Sequence, residues 1–328
     1  MKVLMVTNMY PSPQKPHSGS FIRSQIDSIR REGVDVDILY LNTKGKQYNY
    51  IKGWYTIFKK SWDRSVDLIH AHYGYCGMVS NLQFRLPVIV SYCGGDVLGS
   101  PNIKGEKTLF DKIMLPLGWV LSMIVPAAIV KSQEMKDRLP RTQNIFVIPN
   151  GVDFDFFKPM KKSVARKKVG LDKNKKYVLF PANPSWIRKC YPVAKEAVDL
   201  LKRKGMNVEL VVLHSGPQET VPAYMNACDA LVLTSYWEGS PNVIKEAMAC
   251  NLPVVSVDVG DVAKILDGCQ GCYIVKRNVR DVAAKLECVL EQNRRTNGRE
   301  CIQDLEIQTV ARKIIRLYHK VVRKRGYR

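Results

Sequence analysis

The chain has 328 residues, 46% of them hydrophobic and 25% charged, and its 51 Lys and Arg outnumber 30 Asp and Glu to give a formal net charge of +21. This composition excludes a disordered or fibrous chain and allows two globular domains with full cores. The positive excess points to an acidic partner: nucleic acid, anionic lipid or a phosphorylated substrate.

In chain order, Lys2–Thr7 reads as a short apolar strand running into Asn8-Met-Tyr-Pro11 without a cleavage pattern, so no secretory signal is expected. Phe21–Arg31 reads as a helix ending at Gly33. Val34–Tyr40, Val66–His70, Pro87–Ser91, Ala127–Val130 and Asn144–Ile148 read as strands bounded by turn residues. Asp35-Val-Asp37 has the spacing of a metal-binding acidic pair, but strand alternation puts both acids on one solvent face, and no metal role is assigned. Tyr50–Trp62 mixes aromatics and lysines at helical spacing, which fits a helix packed on its own domain or one lying in a lipid headgroup layer. Ile113–Val130 holds 18 uncharged residues, at the lower edge of a membrane span. Pro116, Gly118, Ser122 and Pro126 interrupt it, so it reads as a core helix leading into a buried strand.

Pro149-Asn-Gly-Val-Asp153 marks a turn, and 154–176 after it reads as an exposed basic linker, with nine Lys or Arg against one Asp between Lys158 and Lys176. A second alternating series follows: strand Tyr177–Phe180, helix Pro192–Arg203, strands Val208–Leu213 and Ala230–Ser235, helix Asn242–Cys250 and strand Pro253–Val257. Two such series imply two parallel-sheet domains, 1–153 and 177–304, facing across a cleft. Nine scattered cysteines read as the reduced thiols of a cytosolic protein, and Cys269-Gln-Gly-Cys272 lacks the second pair a zinc site needs.

Glu238-Gly-Ser-Pro-Asn-Val-Ile-Lys-Glu246 is the most informative segment, with two carboxylates eight positions apart on a strand-to-helix turn. Ser240 reads as the N-cap and Pro241 as the first helical residue. Backbone N–H groups and the helix dipole there favour an anion. Carboxylates beside a phosphate-sized site suit a ligand with hydroxyls, a ribose or a sugar. Taken alone, the segment fits a capped surface helix with incidental acids equally well.

These segments in this order resemble the retaining nucleotide-sugar glycosyltransferases of the GT-B fold, the group 1 or family-four type. The resemblance rests on Glu238 to Ser256, the preceding Met225–Ser235, Ile148-Pro-Asn-Gly-Val-Asp153 and Ile69-His-Ala-His72. It implies two Rossmann-like, doubly wound domains: 1–153 on the acceptor side and 177–304 for the donor, with a C-terminal helix of about 305–328 packing back on the first. It also implies that Glu238 meets the donor sugar near the reacting carbon and Glu246 the ribose hydroxyls. The pyrophosphate would lie on the turn Gly239, Ser240, Pro241, Asn242 and Val243. Lys189 and Arg188 would neutralise the departing phosphate. Gly19, in Ser18-Gly-Ser20, would form a loop close to phosphate and acceptor, with His72 on the acceptor side.

The implied donor is UDP- or GDP-linked. The acceptor is a lipid-linked glycan or cell-surface polysaccharide precursor, the location cytoplasmic and peripheral on the inner membrane face. No metal or other cofactor is expected. Nucleic acid is not expected either, since no binding motif accompanies the charge. The chain departs from the family pattern at Cys93, in Ser91-Tyr-Cys-Gly-Gly-Asp96, where a histidine usually faces the donor sugar. It departs again at Asn183, where many members have an arginine, and it looks shortened between Leu213 and Tyr224. A GT-B sugar-nucleotide epimerase and a non-catalytic nucleotide-sugar or membrane-binding module are the rival readings.

Overall fold

The computed structural model describes residues 1–12, 18–42, 48–63, 65–99, 109–140 and 143–326. The chain divides into two units: Met1–Gly151 with Ile307–Arg328, and Val152–Glu306.

Unit 1 is built on a parallel sheet of six strands: β1 (Lys2–Thr7), β2 (Asp35–Tyr40), β3 (Leu68–His72), β4 (Val88–Ser91), β5 (Ala127–Val130) and β6 (Ile145–Val147), in the order β2-β1-β3-β4-β5-β6. The central strands are buried and largely apolar, as expected where helices cover both faces, with His70 and His72 of β3 and Ser91 of β4 as polar exceptions. On one face, Leu4, Val6, Ile69, Ala71, Val88 and Val90 pack with Ile57, Cys76 and Leu121. On the other, Val3, Met5 and Leu68 meet Ile22, Ile26 and Ile29 of the helix Ser20–Arg31, and Val310, Ile314 and Tyr318 of the C-terminal helix Ile307–Gly326. In β2, Asp37 takes an ion pair from Lys60 at 3.1 Å, which with Lys2 holds its carboxyl below the ordinary range.

Two helices of this unit keep apolar faces in solvent. In Asn49–Ser61 only Gly53, Ile57 and Ser61 are buried, leaving Trp54, Tyr55, Phe58 and the following Trp62 exposed. The helix Leu109–Ile124 is not the core helix expected, because Ile113, Leu117, Val120, Met123 and Ile124 are exposed. Its other face alone, with Leu115 and Leu121, is buried. Among the described residues no helix is long and apolar enough to cross a membrane.

Unit 2 holds five parallel strands: β7 (Lys176–Phe180), β8 (Val208–Val212), β9 (Ala230–Leu233), β10 (Val254–Val257) and β11 (Tyr273–Val275), in the order β11-β10-β9-β7-β8. Residues 154–176 are not an exposed linker; they are folded into this unit. Lys162–Val169 is a helix, and its Arg166 is buried, donating to Asp229 at 2.9 Å and to the Ala227 carbonyl at 3.0 Å. Lys162 reaches the same carboxylate at 2.6 Å, and the Tyr177 N–H donates to it at 2.7 Å. A run of basic residues reads as solvated, but a single buried acid 50 to 70 positions downstream draws two of these cations inward. The expectation of nine reduced thiols also needs correcting. Cys269 and Cys301 are paired as a disulfide, their Cα atoms 6.3 Å apart, within the range a bridge requires.

Candidate active site

In both sheets the strand order reverses beside the first strand, between β1 and β3 in unit 1 and between β7 and β9 in unit 2. Open parallel sheets bind ligands at the carboxyl ends of the strands flanking such a reversal, where the following loops part to opposite faces. In unit 2 those loops carry Lys189 after β7 and Glu238 after β9.

The loop after β7 closes in a single 3₁₀ turn, Ile187–Lys189, followed by Cys190 in the left-handed region at φ 49°. This turn is fastened to the loop after β9. Thr234 donates through its hydroxyl to the Lys189 and Cys190 carbonyls, each at 3.0 Å, and the Tyr236 N–H donates to the Arg188 carbonyl at 2.8 Å. Arg277 donates to the Thr234 and Ser235 carbonyls, holding the β9 loop from its other side.

Within this frame the Glu238 carboxylate receives three donors: Lys189 Nζ at 2.5 Å, Ser235 Oγ at 2.9 Å and Arg188 Nη1 at 3.0 Å. Burial would raise the Glu238 carboxyl, but the Lys189 and Arg188 charges outweigh it and hold the group below its ordinary value. Burial likewise draws Lys189 below the usual lysine range, although Glu238 opposes the shift. Sequence reasoning singled out Glu238, Lys189 and Arg188 as candidates, and the fold brings all three into contact. It missed Ser235, which read only as the end of a strand.

The turn Gly239 to Val243 leads into the helix Asn242–Ala249. Pro241, not Ser240, is the capping residue, and no side chain caps it. Ser240 is otherwise engaged, donating to Asp261 Oδ2 at 2.7 Å and accepting from Lys245 Nζ at 2.9 Å. Lys245 is almost wholly buried beneath the turn, in a helical position where an apolar residue would be expected. Gly260 presses on the turn from the next loop at φ +63°, and a Cβ there would lie 2.7 Å from the Gly239 oxygen and 2.9 Å from that of Glu238. Lys245, Asp261 and Gly260 went unnoticed in the sequence because their partners are remote or lie on another face of the helix.

Glu246 stands in the second turn of the helix. Part of its side chain reaches the surface, yet enough protein surrounds it that burial pushes its carboxyl up to about 7, with Lys245 opposing. Asn183 carries no charge into the site. It shapes the β7 loop instead, accepting from the Ser185 N–H at 2.9 Å.

The remaining candidates belong to unit 1. Gly19 caps the helix Ser20–Arg31 at φ 71°, and a Cβ there would come within 2.6 Å of the Met9 carbonyl oxygen, so the β1 loop needs glycine. His72 ends β3 and is completely buried, rather than presented openly at a strand end. Its neighbour His70 is structural, bonded to Tyr318 at 2.6 Å and Ser91 at 2.7 Å, and burial lowers it to about 3. Cys93 fills the position of the implied histidine, and its N–H donates to Asp96. Among the described residues no group of three or more His, Cys, Asp or Glu is placed to hold a metal ion.

Residues 182–292, which include Arg188, Lys189, Glu238 and Glu246, match the family described as Glycosyl transferases group 1. The chain is 23% identical to TuaC of Bacillus subtilis (strain 168), named for teichuronic acid biosynthesis as a glycosyltransferase, over 86% of this chain and 87% of that protein. It is 24% identical to an Escherichia coli UDP-Gal:alpha-D-GlcNAc-diphosphoundecaprenol alpha-1,3-galactosyltransferase over 62% of this chain and 61% of that one. The crystal structure of Anabaena HepE in complex with UDP-glucose has the same fold, with a TM-score of 0.69 at 19% identity, covering 98% of this chain and 100% of that chain. The chain thus has the GT-B fold, and over residues 182–292 it is similar to the group 1 glycosyltransferases.

Proposed function

We propose that the protein transfers a sugar, with retention, from a nucleotide diphosphate donor bound by unit 2 to a hydroxyl of a lipid-linked glycan or polysaccharide precursor received by unit 1. The observation that carries this reading is the Glu238 carboxylate held between Lys189 and Arg188 at the reversal of the strand order, beside the start of the helix Asn242–Ala249. The cations and the turn amides suit a pyrophosphate, and an acid beside them suits the sugar attached to it. Glu246 is suited to the ribose hydroxyls. The UDP-glucose in the HepE crystal and the lipid diphosphate acceptor named for the galactosyltransferase support the choice of substrates.

Retention follows if both bonds change on one face of the sugar. The bond from C1 to the β-phosphate oxygen breaks as the acceptor oxygen bonds to C1, and the acceptor proton passes to that phosphate oxygen. Glu238 is one carboxylate rather than a flanking pair, so a covalent glycosyl intermediate is not invoked. Lys189 and Arg188 offset the charge growing on the leaving group, and no metal is required of the site. The exposed aromatic face of Asn49–Ser61, with Lys52, Lys59 and Lys60 on the same helix, suits an anionic membrane surface where a lipid acceptor resides.

The test is a thermal-shift screen of UDP, GDP and their sugars, followed by release of nucleotide in the presence of lipid-linked acceptors. A nucleotide that stabilises the protein and a sugar transferred with the anomeric configuration kept support the proposal. A rearranged nucleotide sugar with no transfer would replace it with epimerisation.

A further inference from the structure

Among the described residues three lysines are less than a tenth exposed: Lys245 at 1%, Lys131 at 2% and Lys189 at 9%. Lys189 pairs with Glu238, and Lys245 donates to Ser240. Lys131 makes no hydrogen bond and no ion pair with any described residue. It directly follows β5 and lies near Cys93 and Asp96, whose charges oppose the lowering that burial imposes on it. The Asp96 carboxylate does not neutralise it, for that group is turned to backbone N–H donors of Cys93 at 2.9 Å, Gly94 at 3.0 Å and Gly74 at 3.1 Å.

Two more anomalies occupy the same end of the sheet, on the strand next to β4. The His72 imidazole is buried against His70, with ring centroids 4.6 Å apart, and its Nδ1 has no partner while Nε2 lies 3.4 Å from Gln25 Nε2. Burial lowers it well below the ordinary histidine value, so the ring is neutral near pH 7 and can donate one N–H. The next residue, Tyr73, holds φ 72° and ψ 145°, a region that side chains avoid and that collects at functional sites. A bare cation, an orphaned ring nitrogen and a strained backbone therefore meet at the ends of β3, β4 and β5.

A purely structural account fails on Lys131. Its stem is enclosed and burial disfavours its charge, so a methionine would fill similar space without the cost of desolvating an ammonium. A neutral hydroxyl would satisfy hydrogen bonding but leave the charge unbalanced. We propose that this end of unit 1 is a subsite for an anionic group, a carboxylate or a phosphate borne by the sugar substrate, with Lys131 as its counter-charge and His72 as a hydrogen-bonding partner. The inference rests on the reading that unit 1 receives a sugar substrate. It also gives Cys93 a context: where the resemblance places a histidine, this chain has a lysine from the adjoining strand.

The test uses the full chain and its Lys131→Met and Lys131→Arg variants, with thermal shift and calorimetry against glucuronate, glucose 6-phosphate and glucose. UDP and GDP serve as independent probes of unit 2. Glucuronate or glucose 6-phosphate should stabilise the native protein where glucose does not. Response to glucuronate alone assigns a carboxylate, and response to glucose 6-phosphate alone assigns a phosphate. Lys131→Met should weaken that binding at least about tenfold, leave nucleotide binding unchanged and raise the melting temperature of the protein without ligand, and Lys131→Arg should keep part of the response. The proposal is overturned if neither anionic sugar binds, if glucose does as well, if Lys131→Met binds them normally, or if Lys131→Met lowers the melting temperature. Loss of nucleotide binding by the native protein would instead count against the donor reading of unit 2.

Discussion

The two units treat buried charge differently. In unit 2 two buried acids are met by cations at close range, Glu238 by Lys189 and Arg188 and Asp229 by Arg166 and Lys162, and Lys245 donates to Ser240, although Asp261 keeps its Oδ1 without a partner. In unit 1, Lys131 and His72 are both buried at the sheet end; Asp96 acts on Lys131 only through its field, and His72 Nδ1 has no partner. Paired charges can hold a loop in place, whereas an unpaired one stores an interaction for something not part of the chain. On the proposed function, unit 2 would meet its donor with a site largely preorganised by its own side chains, and unit 1 would depend on its substrate to complete it.

Four variants would break or sharpen that contrast, the strongest first. On the proposed function, Glu238→Gln should lower sugar transfer by about a hundredfold or more while nucleotide binding persists, because it would remove a charge proposed to lie next to the reacting carbon and keep the shape. Near-normal turnover in a nucleotide-release assay would remove Glu238 from catalysis. Asp229→Asn should destabilise the fold by about 3–5 kcal/mol in urea unfolding, since Arg166 would stay buried without its counter-ion. A loss below about 1 kcal/mol would mean that the pair is screened like a surface one.

Glu246 predicts a pH dependence. Burial raises its carboxyl to about 7 in the fold, above the ordinary value of 4.5. The stability it contributes is therefore complete below its unfolded value and is lost as pH rises through about 7. Glu246→Gln should flatten that part of the stability profile. If the ribose hydroxyls donate to the ionised form, nucleotide affinity should rise a few-fold between about pH 6 and about pH 8 in the native protein and stay level in the variant. Parallel slopes in the two proteins would contradict both statements. The smallest effect concerns the exposed helix. Replacing Trp54, Phe58 and Trp62 with Ser should reduce co-sedimentation with phosphatidylglycerol vesicles, and undiminished sedimentation would exclude that face as a membrane contact.

Much of the candidate site in unit 2 was legible because its signals are local. Glu238, the turn and Glu246 lie within nine residues, and the apolar run before them marks a strand end. Lys189 and Arg188 needed the family resemblance, since a basic pair after a strand is otherwise unremarkable. The misread features were those decided at a distance. Ser240 has the chemistry of a cap, but Asp261, 21 residues on, takes its hydroxyl. The basic stretch 154–176 looked like a linker because nothing near it announces Asp229.

The sequence by itself determined the strands other than β11, their parallel arrangement in two α/β units and the turn that carries the two glutamates, because hydrophobic periodicity and turn chemistry act within a few residues. Only the tertiary structure decided which charges meet. It joined Lys189 to Glu238 across 49 residues and left Lys131 alone beside Cys93 and Asp96. Electrostatic partnership depends on distance and burial in space, and neither quantity is written in the order of the residues.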